Sequence, residues 1–213
     1  LLTALAEVAK QIPQQTALED TTFQKLTYQR LLIGTDLLAR QWDRLLDART
    51  ERVGVLLPNV NSKVATLTSL WAAGKVPAIL NYTAGTPTML QCVELSDIKQ
   101  VITSRAFLEK AKLEAEPLVE AGVEVIYLED VGAKISGLSK LCSLLNHKLN
   151  PWSGQYTPFS DTAVILYTSG SEGAPKGVEL THHNLLANVR QSIAVLDITD
   201  TDRFFTCLPL FHS

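Results

Sequence analysis

Residues 167–178 read Tyr-Thr-Ser-Gly-Ser-Glu-Gly-Ala-Pro-Lys-Gly-Val, a glycine-rich loop that follows a short apolar run at 163–166. Small residues let a backbone turn tightly and point several N–H groups into one concavity, which suits phosphate oxygens. The loop also carries hydroxyl donors and one compact positive charge, at Thr168, Ser169, Ser171 and Lys176. A flexible surface linker is also rich in Gly and Ser, but it has no need of a buried strand before it and Pro-Lys-Gly-Val after it. The pattern therefore predicts a phosphate-binding loop.

The loop differs from the common P-loop, in which Gly-Lys is followed by Ser or Thr and leads directly into a helix. Here Gly177 follows Lys176, and residues 178–180 alternate like a second strand before a helix begins near Thr181. The sequence therefore predicts a glycine-rich connection between two strands, which argues against a Walker-type kinase or GTPase.

This loop resembles the phosphate-binding loop of the adenylate-forming (AMP-binding) superfamily, which includes acyl-CoA synthetases, peptide-synthetase adenylation domains and luciferases. The family pattern is Thr-Ser-Gly-Ser/Thr-Thr-Gly-x-Pro-Lys-Gly, and it is matched at Thr168, Ser169, Gly170, Ser171, Gly173, Pro175, Lys176 and Gly177. The resemblance implies that this loop holds the β- and γ-phosphates of ATP, with Mg²⁺ as the accompanying ion. Glu172 departs from the pattern by placing a carboxylate where a hydroxyl is usual, so it either faces outward or helps to hold the metal.

Shorter segments resemble one branch of that superfamily. Segments 81–85, 103–105, 127–130, 169–173 and 208–213 occur in the same order in the acyl–acyl-carrier-protein synthetase part of bacterial bifunctional 2-acylglycerophosphoethanolamine acyltransferases. This resemblance implies an ATP-dependent ligase that converts a fatty acid to acyl-AMP and then to a thioester on acyl carrier protein, in phospholipid acyl-chain recycling. Three alternatives stay open: an acyl-CoA synthetase, a nucleotide-binding module without chemistry, and a plain α/β domain with a coincidental loop.

The histidines carry the remaining candidate chemistry. His212 lies in Leu-Pro-Leu-Phe-His-Ser at 208–213, and the resemblance implies that it borders the carboxylate substrate. A surface or capping role for His212 is the alternative. His182 and His183 are adjacent and diverge on a helix, so they cannot bind one metal together, and we interpret them as helix-start residues. No metal site made by protein ligands alone is predicted.

Composition narrows the class of protein and its partners. The chain has 213 residues, 46% of them hydrophobic, and a formal net charge of -3, which gives no electrostatic case for nucleic acid. The isolated Cys92, Cys142 and Cys207 indicate a reduced, cytoplasmic setting and small core residues. No apolar run approaches the ~20 residues of a membrane helix, so contact of the parent protein with the inner membrane would involve other regions. The chain lacks an initial methionine and stops after Phe-His-Ser, which favours a fragment, and we expect it to be inactive alone.

The hydrophobic pattern predicts an α/β fold with a mostly parallel, helix-covered sheet, which the resemblance identifies as the N-terminal fragment of the adenylate-forming large domain. A first α/β subdomain is predicted at 1–150, and the start of a second, with the phosphate loop, at 151–213. Strands are predicted at 16–18, 23–27, 52–57, 76–80, 100–103, 123–128, 163–166, 178–180 and 204–208. Helices are predicted at 2–12, 31–45, 64–73, 86–96 with Thr86 as its N-cap, 104–121 with a break at Pro117, and 138–149. A last helix is predicted from about 182, with a core face formed by Leu185, Leu186, Val189, Ile193 and Leu196.

Overall fold

A computed structural model describes residues 1–137, 143, 145, 160–169, 174–199 and 201–211. The strands in this part of the chain are β1 (Thr16–Glu19), β2 (Lys25–Thr27), β3 (Arg52–Val55), β4 (Val76–Ile79), β5 (Gln100–Thr103), β6 (Glu124–Tyr127), β7 (Thr162–Ser169) and β8 (Pro175–Thr181). Strands β1 and β2 form an antiparallel hairpin, and the others form one six-stranded sheet in the order β6-β5-β3-β4-β7-β8. All neighbours in this sheet are parallel except β7 and β8. The predicted α/β class with a mostly parallel sheet is confirmed.

Helices connect and cover these strands. They are α1 (Leu2–Gln11), α2 (Tyr28–Leu45), α3 (Asn61–Ala72), α4 (Thr86–Leu95), α5 (Arg105–Ala111), α6 (Glu116–Glu120), α7 (Leu128–Lys134) and α8 (His182–Val195). Each parallel connection needs a crossover, and a helix supplies it between β3 and β4 and between β4 and β5. None of the helices in the described residues is long and apolar enough to cross a membrane.

The central strands of the sheet are buried on both faces because their alternate residues enter two different cores, whereas the edge strand β8 is mostly exposed. Val53, Val55 and Leu57 pack in one cluster with Trp42 of α2 and with side chains of α3. Leu56 points to the opposite face, into the cluster that contains side chains of α4 and α5. A strand buried on both faces reads as an unbroken apolar run, which is what the sequence at 53–57 shows.

Three local predictions need correction. Helix α5 ends at Lys112, whose φ of 53° places it in the left-handed region, so the break precedes Pro117, which lies in the first turn of α6. Helix α7 was not predicted, because its short sequence continues directly from strand β6 and lacks a side-chain N-cap. The cap of α4 is Gly85 with φ of 83°, and Thr86 is the first helical residue instead of the predicted cap.

The region after β8 also differs from the prediction. Residues 204–207 are irregular instead of forming a strand, and Phe204 and Phe205 are 72% and 90% exposed. The predicted core face of α8 is confirmed only in part: Leu185 packs against the core cluster that contains Trp42, whereas Val189, Ile193 and Leu196 are about half exposed. The helix therefore contacts the core through its first turns, and its later turns are exposed.

Two predictions fall on residues outside the described part. The helix predicted over 138–149 and the turn-rich segment 150–158, where a subdomain boundary was placed, lie almost wholly there. Strand β7, which follows that segment, pairs with β4 through Ala78 and Ile165 and so joins the sheet of the first subdomain. The division into 1–150 and 151–213 stays a prediction.

Candidate active site

The carboxyl ends of β3, β4, β5 and β7 lie at one edge of the sheet, because these four strands are parallel. Ligands of open α/β sheets bind at this edge. The residues that end or follow these strands are Asn59 after β3, Tyr82 after β4, Ser104 after β5, and Thr168 and Ser169 at the end of β7. The predicted phosphate loop therefore starts at the edge where a ligand is expected.

Strand β7, the loop and β8 form an antiparallel hairpin, which confirms the strand-loop-strand prediction. Thr168 pairs with Lys176 and Ser169 pairs with Pro175, so Lys176 belongs to β8 and the connection is limited to residues 170–174. The predicted site residues Gly170, Ser171, Glu172 and Gly173 lie outside the described residues. Leu180 lies in strand β8, which excludes a P-loop helix starting at Gly173.

The end of β7 is fixed by a buried hydrogen bond. The hydroxyl of Tyr167 donates to Ser96 Oγ at 2.7 Å, and burial raises the pKa of Tyr167 to about 12. Gly177 lies across from Tyr167, where an added Cβ would be 3.7 Å from its ring, an ordinary van der Waals distance. The base of the hairpin is therefore anchored in the core, and glycine is not sterically required at 177.

Lys176 and Thr168 are the described residues best placed to meet an anion. The Lys176 side chain is exposed and forms no ion pair with any described residue, while Thr168 is half-buried and Ser169 exposed. An exposed ammonium on the residue that pairs with Thr168, at the carboxyl edge of the sheet, can offer charge-assisted hydrogen bonds to phosphate oxygens.

The segment that precedes His212 is held at the same edge. Phe211 is only 6% exposed, and its ring lies 4.9 Å from that of Tyr82, which in turn lies 5.0 Å from that of Phe107. The side chain of Asn59 bonds to the backbone at Leu208 and Leu210. His212 itself lies outside the described residues, so its predicted role stays a prediction.

Two of the segments that carry the resemblance contact each other at the β5–β6 side of this edge. The guanidinium of Arg105 donates two hydrogen bonds of 2.7 Å to the carboxylate of Asp130 and lies 4.0 Å above the ring of Tyr127. The hydrogen bonds from Arg105 hold the pKa of Asp130 below its usual value. Both partners are about half exposed, so the pair organises the start of α5 and α7 more than it stabilises the fold.

The remaining candidates have structural roles. His182 begins α8, as predicted, and its ring packs against Trp71 at 5.4 Å, where burial lowers its pKa. Asn81 accepts hydrogen bonds from the backbone N–H and hydroxyl of Thr83, which makes the segment after β4 a tight turn. Cys92 is buried as predicted, and burial raises its pKa to about 11, whereas Cys207 is exposed and the prediction of a core residue there is wrong. Cys142 lies outside the described residues.

Sequence reasoning missed Asn59, which was interpreted only as a residue that ends a strand. Tyr82 lies in the segment 81–85, which was placed at a strand end where ligands bind, but a simple turn was the favoured interpretation there. The sequence signal that could have identified Asn59 and Tyr82 is that each follows a buried parallel strand. Polar and aromatic side chains at such positions face ligands or the loops that hold ligands.

The family model described as AMP-binding enzyme matches residues 5–213. The chain belongs to the AMP-binding enzyme family.

Relatives within the AMP-binding family are ligases that join acids to thiols. Oxalate–CoA ligase of Arabidopsis thaliana is 30% identical over 220 residues, which is 98% of this chain and 40% of that protein. A chloroplastic long-chain-fatty-acid–acyl-carrier-protein ligase of the same plant is 32% identical over 122 residues, 54% of this chain and 16% of that protein. Among solved structures, o-succinylbenzoate CoA synthetase of Bacillus subtilis, in complex with its acyl-adenylate intermediate, superimposes with a TM-score of 0.75 at 25% identity, over 98% of this chain and 50% of that one.

These matches show how much of an AMP-binding enzyme the chain contains. The chain spans half or less of the length of each of these relatives. Its sheet matches the N-terminal part of the large domain of adenylate-forming enzymes, which confirms the predicted fold.

Proposed function

We propose that this chain forms the polyphosphate-binding part of an ATP-dependent ligase that activates a carboxylic acid as an adenylate and transfers the acyl group to a thiol. The β7–β8 hairpin carries this proposal. It presents Thr168, Ser169 and Lys176 at the carboxyl edge of the sheet, within the segment whose sequence resembles the phosphate loop of the family.

The described residues fit a bound polyphosphate. Lys176 has an exposed ammonium without an ion-pair partner among them, and Thr168 lies opposite it in register. ATP would supply the adenylyl group, and Mg²⁺ would neutralise part of the charge of the phosphates. Lys176 would offset the rest of that charge, Thr168 and Ser169 would orient phosphate oxygens, and the small residues Gly170, Ser171 and Gly173 would leave room for close backbone approach. Because adenylation needs positioning and charge neutralisation more than proton transfer, this set of residues suits it without a carboxylate pair.

The finer proposal concerns the acid and the thiol. We infer that the acid is a fatty acid and that the acceptor is acyl carrier protein, in the recycling of phospholipid acyl chains. The short segments shared with bacterial acyl–acyl-carrier-protein synthetases support it, and so does the acyl-carrier-protein ligase among the relatives. CoA is the second candidate acceptor, because oxalate–CoA ligase aligns over nearly the whole chain. His212 would border the carboxylate of the acid, and Glu172 would face outward or help to hold Mg²⁺.

The test is acid-dependent exchange of labelled pyrophosphate into ATP by the complete protein, meaning this chain with whatever sequence accompanies it naturally. Exchange should require a fatty acid, and Lys176→Met should lower its rate about 10- to 1000-fold, since a contact to a charged transferring group is lost. The matched control is Lys110→Met, which removes an exposed lysine from α5, away from the hairpin. Exchange that needs no acid, or that survives Lys176→Met at the rate of the control, would contradict the proposal.

A further inference from the structure

The side chain of Asn59 takes the place of a strand partner for the segment 208–211. Its Nδ2 donates to the carbonyl oxygen of Leu208 at 2.7 Å, and its Oδ1 accepts from the backbone N–H of Leu210 at 3.1 Å. These two backbone groups flank Pro209, which has no N–H of its own. One carboxamide therefore bonds to two backbone groups of this segment, as a neighbouring strand would.

The next residue along the segment is fixed by packing. Phe211 is buried in the cluster that contains Leu57, and its ring meets the edge of Tyr82 at 4.9 Å. By contrast, residues 204–207, directly before the Asn59 contacts, are irregular and exposed. Burial in this part of the chain thus increases where the carboxamide of Asn59 binds.

The hydrogen bonds of Asn59 connect this segment to the buried centre of the sheet. Asn59 follows β3, the strand that lies between β4 and β5, and Leu56 and Leu57 just before it are about 1% exposed. Packing of Phe211 by itself determines only how deeply the segment is buried. The two hydrogen bonds on either side of Pro209 also determine where the segment lies along the edge of the sheet. A displacement of about 1 Å in a group that meets a substrate can lower a rate about 100-fold.

We propose that Asn59 is a positioning residue for the acid substrate: it fixes residues 208–211, the segment that directly precedes His212 in the sequence, at the carboxyl end of β3. This inference rests on the proposed function, in which His212 borders the carboxylate. It assigns no contact between Asn59 and the substrate. Asn59 should affect use of the acid selectively, because the phosphate-binding hairpin is held separately through β4, β7 and the Tyr167–Ser96 hydrogen bond.

The chain offers a matched control for this inference. Asn61 lies two residues later, and its Nδ2 donates to the carbonyl oxygen of Gln24 at 2.7 Å. Asn59→Ala and Asn61→Ala each remove a carboxamide that bonds to distant backbone, but only the first touches 208–211. Asn59→Asp keeps the acceptor for the Leu210 N–H and loses the donor to Leu208, so it serves where Asn59→Ala gives no folded protein.

The experiment measures pyrophosphate exchange by the complete protein while the acid and ATP are varied in turn. Asn59→Ala should lower kcat/KM for the acid about 10- to 100-fold and leave the KM for ATP nearly unchanged. Asn59→Asp should show the same selectivity with a smaller loss, and Asn61→Ala should show neither effect. Acid parameters in Asn59→Ala that match those of Asn61→Ala, or equal losses for acid and ATP, would overturn the inference.

Hydrogen exchange at the Leu210 amide gives a readout that does not depend on activity. Exchange should be faster in Asn59→Ala than in the wild type, and unchanged in Asn61→Ala, because only the first removes the acceptor. A wild-type protein without acid-dependent exchange of pyrophosphate would refute the proposed function, and the amide measurement would still decide whether Asn59 holds the segment. Equal amide exchange in Asn59→Ala and wild type would refute the positioning role itself.

Discussion

Lys63→Met tests whether a buried charge in α3 destabilises this fold. Lys63 lies on the same face of α3 as Leu67 and Leu70, which pack into the core on one side of the sheet. Its side chain is 0% exposed, and its Nζ has no hydrogen-bond partner in the described chain. Methionine has a similar length and flexibility without the charge, so it should fill the same space.

The pKa of Lys63 sets the size of the effect. Burial lowers this pKa from the ordinary 10.5 to about 8. A difference of about 2.5 pH units corresponds to about 3 kcal/mol of differential stability between the protonated and neutral forms. Below pH 8 the lysine is protonated in both the folded and unfolded chains, so folding bears this full cost. Between pH 8 and 10.5 the unfolded chain binds more protons than the folded chain, so stability rises with pH and the cost disappears.

Lys63→Met should therefore raise the free energy of unfolding by about 3 kcal/mol at neutral pH, and the gain should shrink as the pH rises above about 8. Urea unfolding followed by circular dichroism, at about pH 7 and about pH 9.5, measures both effects. The control is Lys10→Met, which replaces an exposed lysine in α1 and should change stability by less than about 0.5 kcal/mol. A loss of stability in Lys63→Met, or a gain that does not change with pH, would refute the reasoning.

Two further predictions concern the 213-residue chain by itself. When it is incubated with ATP, Mg²⁺ and a long-chain fatty acid, the chain should release no more pyrophosphate than a Gly173→Pro variant. The reason is that adenylation needs both reactants held in line and shielded from water. More pyrophosphate from the wild-type chain than from the variant would show that the active site is complete in these residues. The chain should also self-associate through its exposed apolar side chains, among them Val189, Ile193 and Phe205, and Ile193→Glu should weaken the association in sedimentation experiments. A wild-type chain that sediments as a monomer at all concentrations would contradict this second expectation.

The sheet could be predicted from the sequence because its central strands are buried on both faces. Runs such as 53–57 and 163–166 have no polar interruption. The sequence alone therefore indicates that these segments are strands and gives their order along the chain. The parallel arrangement then follows from the alternation of strands with helices. The hairpin of β7 and β8 could be predicted for a different reason, since Gly177 after Lys176 rules out the helix that a P-loop requires.

The errors arose where the outcome depends on partners distant in sequence. Residues 204–208 have the composition of a strand, but a strand forms only when it pairs with another strand, and no strand of the described chain pairs with them. The apolar face of α8 has the periodicity of a core helix, yet periodicity does not show what packs against it. Asn59 could not be assigned a partner from sequence, because its hydrogen bonds reach residues about 150 positions away.

The nucleotide products of the complete protein test the central claim most directly. If this chain is the polyphosphate-binding part of an acid-activating ligase, supplying ATP, Mg²⁺, a long-chain fatty acid and acyl carrier protein should yield AMP and pyrophosphate in equal amounts, and omitting the fatty acid should abolish both. Phosphorus NMR of the reaction mixture distinguishes these products from ADP and inorganic phosphate. Formation of ADP and phosphate, or AMP formation that does not depend on an acid, would contradict the account.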